Sequence, residues 1–588
     1  MTWTGKESAA WDYQTSNFAI GTDATEFVAQ DKLVFGDDAE RTDVTVSELM
    51  PVGGITFTNN SKTYRITGDG GISGTGSLTV NGQGRVELSA VHSYYTGTTV
   101  INSGTVVVKD LADGGNASSI GAASSWKMGK ATLIIDNAST STDRSLTITD
   151  SATINIPSGT SAFKGQITGK GTLVKTGNGQ LNYTYAGTNS YSGGTVLAGG
   201  TIAMGAWNTT FGAATSKISA IKNSTITIFN NNSTGAVPSF TNKLDIAEGV
   251  AVTLNGGKRC SVKPTLTGKG TLKVNFPYVR GDFGPNASNF NGTIEMTSGQ
   301  VRLATALDLS NGTLQLDADN YVYNNSGTHK IGALNGTNTG AQIASGTWNI
   351  GFLDTDCSFA GAFTDGTTVN KYGDGKLTLT GSSSAPINIY AGTLDVENTA
   401  SPVTTQTITV NDGGILMGAG QTASVVVNAG GSLHASKSTL LTGDITITGT
   451  LKVNKNGRIR VRGRSTNTKV DNFKVAGNIT LNNPVFVMER LSGEWIPDAE
   501  YQVFTGEGKI TLTGTPTFEP AVPADGYVWD YSQLTSTGIL KVVADPSAIE
   551  SINPDELGDS EVYDMQGRKV ENPVSGLYIV NGKKVFIR

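Results

Sequence analysis

The sequence is poor in the residues that build most catalytic and metal sites. Its 588 residues include only three histidines and two cysteines, and charged residues make up 16%. The histidines, His92, His329 and His434, lie far apart, so neither a Ser-His-Asp order nor a zinc-ligand spacing is present. The 37% of apolar residues is enough for a core and argues against disorder. We therefore expect a folded protein that carries no metal and no cofactor.

Long apolar runs and an excess of positive charge are also missing. The formal net charge is -6, which gives no reason to expect a nucleic-acid partner. No apolar run approaches the length of a membrane-spanning helix, so we expect no transmembrane segment. The chain starts abruptly at Met1, either as a native cytoplasmic start or because a signal peptide has been removed. The C-terminus described below favours removal.

Glycine is the residue in excess, with 75 copies. Because no strict Gly-x-y period runs through them, collagen is excluded. Thr and Val are frequent and favour strands, whereas Gly, Asn and Ser favour turns. The composition therefore predicts an all-β protein with almost no helix.

A long unit recurs four times along the chain. Its first element starts at Ile72, Ile167, Leu266 and Phe363, and the fourth copy is degenerate. The spacings are 95, 99 and 97 residues. About 20 to 30 residues after each start comes a second element, as in "YTGTTVINSGTVVV" from Tyr95 and "YSGGTVLAGGTIAM" from Tyr191. Both elements read as strand-turn-strand pieces with alternating apolar residues.

Short strands with glycine corners, repeated over hundreds of residues, predict a right-handed parallel β-helix with rungs of roughly 20–25 residues. A β-propeller is the alternative, but its blade signatures are absent. We expect an N-terminal cap and first rungs at 1–68, four repeat units at 69–400, and final rungs with a cap at 401–545. A linker and a small β-sandwich-like module follow at 546–588.

The repeat also bears on the two cysteines. Cys260 and Cys357 occupy equivalent positions in consecutive units, so about four rungs, or ~19 Å, should separate them. Because disulfide partners need Cα atoms within about 7 Å, we expect two buried free thiols.

The glycine-rich stretch "TGKGTLVKTGNGQL" suggests a phosphate-binding loop at first sight. Its glycines recur in the other units, but its lysines do not, because Thr75 replaces Lys170 and Val80 replaces Lys175 in the first unit. The glycines should therefore shape the corners of the coil. They are Gly169, Gly171, Gly177 and Gly179.

The run Gly-x-Gly-x-Leu followed by Tyr/Phe-x-Gly-x-Thr resembles the autotransporter-associated β-strand repeat of bacterial surface proteins. The opening "TWTG…WDYQTSNF…KLVFGDD" and the later "VVVNAGGSLHAS" resemble the start and the end of such passengers. The resemblance covers residues 2–540. It implies a parallel β-helix and says little about activity, since this repeat occurs in adhesins and beside enzymes.

The C-terminal residues form a second resemblance. "YDMQGRKV" and "GLYIVNGKKVFIR" contain three or four short strands, and Asn581-Gly582 is a strong hairpin signal. The tail resembles the sorting domain of the type IX secretion system of Bacteroidetes-type bacteria, which implies export across the outer membrane and the type IX export machinery as a partner. The matching residues are Tyr563, Asp564, Gln566, Gly567, Arg568, Gly576, Leu577, Tyr578, Gly582 and Lys583.

Long β-helices are often polysaccharide lyases or hydrolases, so carboxylates are the candidate catalytic residues. The Gly36-Asp37-Asp38 run lacks the companion motifs of a polygalacturonase and reads as a turn. Asp317-x-Asp319 and Asp354-x-Asp356 place carboxylates on one side of a strand, where they fit a calcium site, an acid/base pair or, as we expect, a solvated strand end.

Two features suggest ligand binding. The alternating residues Arg458, Arg460, Arg462 and Arg464 should share one face of a strand, either as a site for an anionic glycan or as a solvated face. Aromatic residues recur near equivalent repeat positions, either as core ladders, which we expect, or as a platform for sugars. They are Tyr94, Tyr95, Tyr191, Phe290 and Tyr390.

These observations predict a secreted or cell-surface passenger, adhesin-like and without catalysis, that binds polysaccharide or a host surface glycan. The alternative is a pectin-lyase-like enzyme that degrades polysaccharides, as a lyase or a glycoside hydrolase. A third interpretation is a structural spacer that displays another domain.

Overall fold

The computed structural model describes residues 1–88, 92–205, 210–228, 239–257, 260–323, 327–436, 440–464, 468–545 and 550–588. The start of the predicted linker, residues 546–549, lies outside them. The chain packs as two compact units, one of Met1–Leu353 with Ala360–Gly366 and one of Asp354–Phe359 with Thr367–Arg588. The predicted division at residues 68, 400 and 545 concerns repeats rather than packing and stays a prediction.

The first unit is a parallel β-solenoid. Each rung contributes strands to sheets that stack in register, so that Leu133 pairs with Ile154, and Ile154 with Lys175, each one rung further on. This pairing confirms the predicted parallel β-helix.

The first sheet of this unit begins with antiparallel strands and continues with parallel ones. In pairing order its strands are Asp23–Thr25, Phe18–Ile20, Thr2–Trp3, Lys32–Phe35, Gly54–Phe57, Leu78–Val80, Thr99–Ile101, Ser125–Met128, Ser145–Ile148 and Ile167–Gly169.

The second sheet is parallel throughout. Its strands are Ala10–Trp11, Asp43–Val46, Thr63–Thr67, Arg85–Glu87, Thr105–Val108, Thr132–Ile135, Ser151–Asn155, Thr172–Thr176, Thr195–Leu197, Lys217–Ala220, Lys243–Ile246 and Leu266–Gly268. Leu49–Pro51 and Gly71–Ser73 form a separate parallel pair.

The third sheet extends through the second half of the unit. In chain order its strands are Ser139–Thr142, Thr160–Phe163, Gln180–Tyr183, Thr201–Met204, Ser224–Ile228, Ser239–Phe240, Ala251–Gly256, Ser261–Val262, Thr271–Phe283, Thr293–Leu303, Asp308–Leu316, Tyr321–Tyr323, Thr328–Asn335, Gln342–Ala344, Gly346–Ile350 and Ala362–Phe363.

The second unit contains three parallel stacks. One consists of Thr367–Lys371, Ile387–Ile389, Ile408–Val410, Val425–Val427, Leu451–Val453, Ile479–Asn482 and Ile510–Thr513. Another consists of Cys357–Phe359, Lys376–Leu379, Gly392–Val396, Gly414–Gly418, Ser432–His434, Arg458–Arg464, Val485–Ser492 and Thr517–Glu519. The third consists of Gln421–Thr422, Asp444–Ile447, Asn472–Val475 and Phe504–Thr505.

The second unit also contains two smaller sheets. Glu500–Gln502, Ile539–Ala544 and Tyr527–Asp530 form an antiparallel sheet beside the one-turn helix Leu534–Thr537. A four-stranded mixed sheet contains, in pairing order, the strands Glu550–Ile552, Lys583–Ile587, Gly576–Val580 and Val562–Tyr563. The 3-10 turn Pro554–Glu556 lies in the chain between Glu550–Ile552 and Val562–Tyr563. The predicted C-terminal module is thus a single sheet with a small apolar core on one face, rather than two packed sheets.

The core lies inside the coils because inward and outward residues alternate along each strand. In Thr172–Thr176 only the second and fourth residues, Leu173 and Lys175, are buried. At the N-terminal end Trp3, Trp11 and Phe18 are buried, and the Trp3 and Phe18 rings meet edge to face at 5.2 Å. This aromatic cluster forms the N-terminal part of the core.

The predicted burial of both cysteines is confirmed. Cys260 and Cys357 are buried free thiols. Burial, reinforced by the Asp282 carboxylate, raises the pKa of the Cys260 thiol to about 12. Among the described residues, no helix is long and apolar enough to span a membrane.

Candidate ligand-binding surfaces

The arginine row lies on strand Arg458–Arg464. Ile459 and Val461 are fully buried in the core, so the four arginines alternate with them on the other face of the strand. The strand pairs with Ser432–His434 on one side and Val485–Ser492 on the other. The face is covered at its middle, because Arg462 is only 2% exposed, whereas the other three arginines keep partial exposure.

Arg462 is committed to an internal ion pair. Its Nε donates to Asp471 Oδ2 at 2.9 Å, and the two side chains are 3% and 0% exposed. Arg462 Nη2 also donates to the carbonyl oxygens of Leu441 at 3.1 Å and Ser436 at 3.3 Å. Asp471 Oδ1 accepts the backbone N–H of Gly443 at 2.8 Å. These contacts give the pair a structural role.

Arg460 is half-buried beside this pair. Its Nη2 donates to the Ser436 carbonyl at 3.3 Å, and its Nε lies 4.0 Å from Glu489 Oε2. Burial and the neighbouring Arg462 lower the pKa of Arg460. Burial and then Arg460 and Arg462 lower the pKa of His434 to about 3, so its imidazole is neutral.

The two outer arginines are the more accessible ones. Arg458 donates through both terminal nitrogens to the carboxylate of Glu519. Arg464 donates to the carbonyl oxygen of Leu440. Anion binding by this row stays a prediction, and a ligand would have to displace Glu519 from Arg458.

The aspartates singled out in the sequence bond to the next rung. Asp37 accepts the backbone N–H groups of Asn60 at 2.8 Å and of Ser61 and Lys62 at 3.1 Å. These bonds, with that from Asn60 the largest, lower the pKa of Asp37 to about 2. Asp37 therefore caps a corner of the coil as a fixed carboxylate.

Three aspartates of the Asp-x-Asp runs also accept backbone N–H groups of the next rung. Asp354 accepts the N–H of Asp374, and Asp356 that of Lys376, both at 2.9 Å and both one rung further on. Asp317 accepts the N–H of Thr337 at 2.9 Å. Backbone N–H groups of the next rung engage these three carboxylates, as at the Asp37 corner.

His329 and His92 lie in different environments. His329 is fully buried, accepts the N–H of Leu307 on Nδ1 at 3.1 Å and stacks on Trp348 at 4.3 Å. Its burial lowers its pKa to about 4. His92 is exposed. In the part of the chain that the structure describes, no group of three or more His, Cys, Asp or Glu side chains is arranged to hold a metal ion.

The recurring aromatic residues divide into two groups. Tyr95, Tyr191 and Phe290 are buried, as predicted for core ladders. Tyr94 and Tyr390 are 53% and 42% exposed, so that prediction is wrong for them. Buried Tyr95 and Tyr191 each bond through the hydroxyl to a threonine four residues on, at 2.8 Å.

Tyr390 belongs to an exposed stack at a corner of the second unit. Its ring lies 5.1 Å from that of Tyr372, with an angle of 12° between the ring planes. The two residues follow paired strands, because Lys371 is in register with Ile389. The stack thus continues the rung spacing on the outside of the coil.

The four corner glycines shape the coil as predicted. Gly169 and Gly177 have φ angles of 110° and 77°, in the left-handed region where side chains are strained. A Cβ on Gly171 would lie 2.0 Å from the carbonyl oxygen of Asp150, and one on Gly179 would lie 2.9 Å from that of Gly159.

Two buried lysines are a feature that sequence reasoning missed. Lys175 donates to the carbonyl oxygens of Thr176 at 2.7 Å and Gly177 at 3.0 Å. Lys371 donates to those of Tyr372 at 2.6 Å and Gly373 at 2.8 Å. Burial lowers the pKa of both, that of Lys175 to about 8. The shared pattern Lys-x-Gly-x-Gly was the available signal.

A polar groove lies beside Lys175 on the outer face of the third sheet of the first unit. It has a volume of about 540 Å³. Its lining residues are Asn178, Gly200, Thr201, Asn223, Ser224, Thr225, Ala251, Thr253 and Lys273.

The C-terminal motif residues form two turns of the terminal sheet. Asp564 Oδ1 accepts the N–H groups of Gln566 at 3.0 Å and Arg568 at 2.9 Å, and Gly567 has a φ of 77°. Asn581 and Gly582 both have positive φ, at 50° and 79°, which confirms the predicted hairpin.

The remaining motif residues lie on the strands of the terminal sheet. Gly576, Leu577 and Tyr578 begin strand Gly576–Val580, and Lys583 begins the strand paired with it. Tyr563 pairs with Ile579. The two halves of the motif thus meet in one sheet.

Parallel pairing from rung to rung defines the protein as a β-solenoid with small C-terminal sheets. No family model matches the chain. Over 347 residues, 56% of this chain, it is 28% identical to the Adhesin BmaC autotransporter of Brucella suis biovar 1 (strain 1330). The match covers 8% of that protein, so the chain spans only a small part of its relative's length.

Among solved structures, the crystal structure of the Haemophilus influenzae Hap adhesin aligns over 87% of this chain and 64% of that one. The TM-score is 0.34 and the identity is 10%. The chain is thus similar in sequence to a segment of an autotransporter adhesin.

Proposed function

We propose that this protein is a secreted or cell-surface adhesin-like passenger that binds a glycan or a host-matrix ligand along its solenoid. The similarity to the BmaC adhesin over 56% of the chain carries the proposal. A solenoid suits this role because many weak contacts can be spread along an extended face.

Binding of the full chain to host cells, matrix proteins and a glycan array tests this function. We expect saturable binding to at least one of these surfaces. A chain that binds none of them is not an adhesin of this kind. Release of reducing ends or unsaturated products from a polysaccharide would instead establish an enzyme.

The C-terminal sheet acts, in this proposal, as a type IX sorting module of a Bacteroidetes-type bacterium. The compact turn around Asp564 and the Asn581-Gly582 hairpin support the role, because they hold the motif residues in one sheet. Removing residues 550–588 should abolish export by a bacterium that carries the type IX machinery. The readout is the amount of protein at the cell surface and in the medium, and undiminished export would refute the role.

A further inference from the structure

The polar groove of the first unit is built from a column of threonines. Thr201 pairs with Thr225, Thr225 with Thr253, and Thr253 with Lys273, each on the next rung. The side chains therefore repeat about every 4.8 Å along the groove. In the described part of the chain, the three threonine hydroxyls have no hydrogen-bond partner in the protein.

The floor of the groove lies directly over a buried lysine. Gly200 lines the groove, and a Cβ on it would lie 2.8 Å from Lys175 Nζ and 2.2 Å from the carbonyl oxygen of Gly177. The Gly200 backbone thus lies between the Lys175 amine and the groove. Lys175 itself is 0% exposed.

Among the described residues, no acidic side chain pairs with Lys175. Its polar partners there are the two backbone carbonyls, and burial is the cause of its lowered pKa. Lys371 occupies the same type of corner, yet the charges of Asp354, Asp374 and Asp356 act on it. Lys175 is therefore a buried cation under the groove with no acidic partner in the described part of the chain, whereas aspartates act on Lys371.

The described lining of the groove contains no acidic residue. Lys273 stands at one end and pairs with Glu295 at 3.0 Å. An anion in the groove would thus meet hydroxyls and amides above the buried Lys175 charge, with the ion-paired Lys273 at the end. A polymer extended along the rungs would keep these contacts over several of its units.

We propose that this groove binds an acidic polysaccharide, with an anionic group of the polymer above Gly200 and its hydroxyls along the threonine column. This inference rests on the proposed function, because it names the ligand class and the surface of the same adhesive solenoid. Carboxylate and sulfate share the chemistry that the groove recognises.

The test uses the full chain and three fluorescent polymers: alginate, dextran sulfate and neutral dextran. We expect at least one acidic polymer to bind ~10-fold or more tightly than dextran, a difference of about 1.4 kcal/mol. Preference for alginate identifies a carboxylate ligand, and preference for dextran sulfate identifies a sulfate ligand. Either supports the inference.

Two variants place the binding in the groove. Thr225→Glu puts a carboxylate on the outer face of the column and should weaken binding by ~10-fold or more. Lys175→Met removes the buried charge and should weaken it by a similar factor. The matched controls are Thr153→Glu, on the second sheet, and Lys371→Met, at the corresponding corner, and both should bind within about twofold of the native chain.

Thr225→Glu decides the question even where Lys175→Met folds poorly. Equal binding of dextran, no binding of any of the three polymers, or unchanged binding by the Thr225→Glu chain overturns the inference. Adhesion to cells or matrix without polymer binding overturns the groove alone. Failure of every adhesion assay overturns the proposed function as well.

Discussion

Arg462 and Asp471 form an ion pair that is closed off from solvent, with Nε and Oδ2 2.9 Å apart and side-chain exposures of 3% and 0%. Two carbonyls and two backbone N–H groups also form hydrogen bonds with the pair. The pair matters for the stability of the second unit because removing either partner would leave the other as an unpaired buried charge. Such a charge is costly, since no water solvates it at this depth.

Asp471→Asn should lower the free energy of unfolding by about 3–5 kcal/mol, because the guanidinium stays buried without its counter-charge. Urea denaturation followed by circular dichroism measures the change. Asp444→Asn is the control, since Asp444 pairs with Lys474 at 2.8 Å with side chains 42% and 52% exposed, and such pairs contribute about 0–1 kcal/mol. Equal losses in the two variants would contradict the structural role.

Lys175 should make stability rise with pH above neutrality. Its pKa is about 8 in the fold against 10.5 ordinarily, so between these values the unfolded chain holds more protons than the folded one. The penalty for the buried charge is constant below pH 8 and is relieved as pH rises, by up to ~3 kcal/mol. The comparison is urea denaturation at pH 8 and pH 10.

Lys175→Met should remove this part of the pH dependence. The difference between native and variant chains isolates Lys175 from the tyrosines, which also titrate at high pH. If the free energy of unfolding changes with pH equally in the native chain and the variant, the fold does not lower the pKa of the Lys175 amine.

His329 should make the first unit less stable in acid. Burial holds its pKa near 4 against an ordinary 6.5, so the unfolded chain takes up a proton first as pH falls through 6.5. Stability is complete above pH 6.5 and declines toward pH 4, by up to ~3 kcal/mol. Thermal melts at pH 7 and pH 5 record the loss.

His329→Gln should reduce that decline and leave the part that buried His434 contributes, whereas His92→Gln, at an exposed histidine, should leave the whole decline unchanged. Loss of the acid sensitivity in the His92 variant would refute the assignment to His329.

Gly171→Ala should destabilise the coil by more than ~2 kcal/mol, because the new methyl group would lie 2.0 Å from the Asp150 carbonyl oxygen of the neighbouring rung. Gly36→Ala is the matched control, since its nearest neighbour would be the Thr58 hydroxyl at 3.4 Å. We expect the control to change stability by about 0.5 kcal/mol or less. Chemical denaturation of both chains provides the measurement, and similar effects would show that rung contact does not require Gly171.

The local features of this protein follow from the sequence because they depend on near neighbours. The alternation of Leu173 and Lys175, the left-handed Gly177 and the Asn581-Gly582 turn are all properties of a few adjacent residues. The repeat spacing then determined that rungs stack in parallel, and with it the burial of Cys260 and Cys357. Two periodicities of the sequence suffice for these conclusions: apolar residues alternate every two residues along a strand, and the strand-turn pattern recurs with each rung.

The functional surfaces were decided by tertiary structure. Alternation placed Arg458 and Arg462 on one face, but only the tertiary structure showed that Glu519, 61 residues further on, engages the first and that Asp471, nine residues further on, encloses the second. Whether an outward face is open or covered depends on how the chain folds back over it, and the alternation along the strand does not encode that. The same holds for Lys175, whose position beneath Gly200 arises because residues 25 apart in sequence meet on successive rungs.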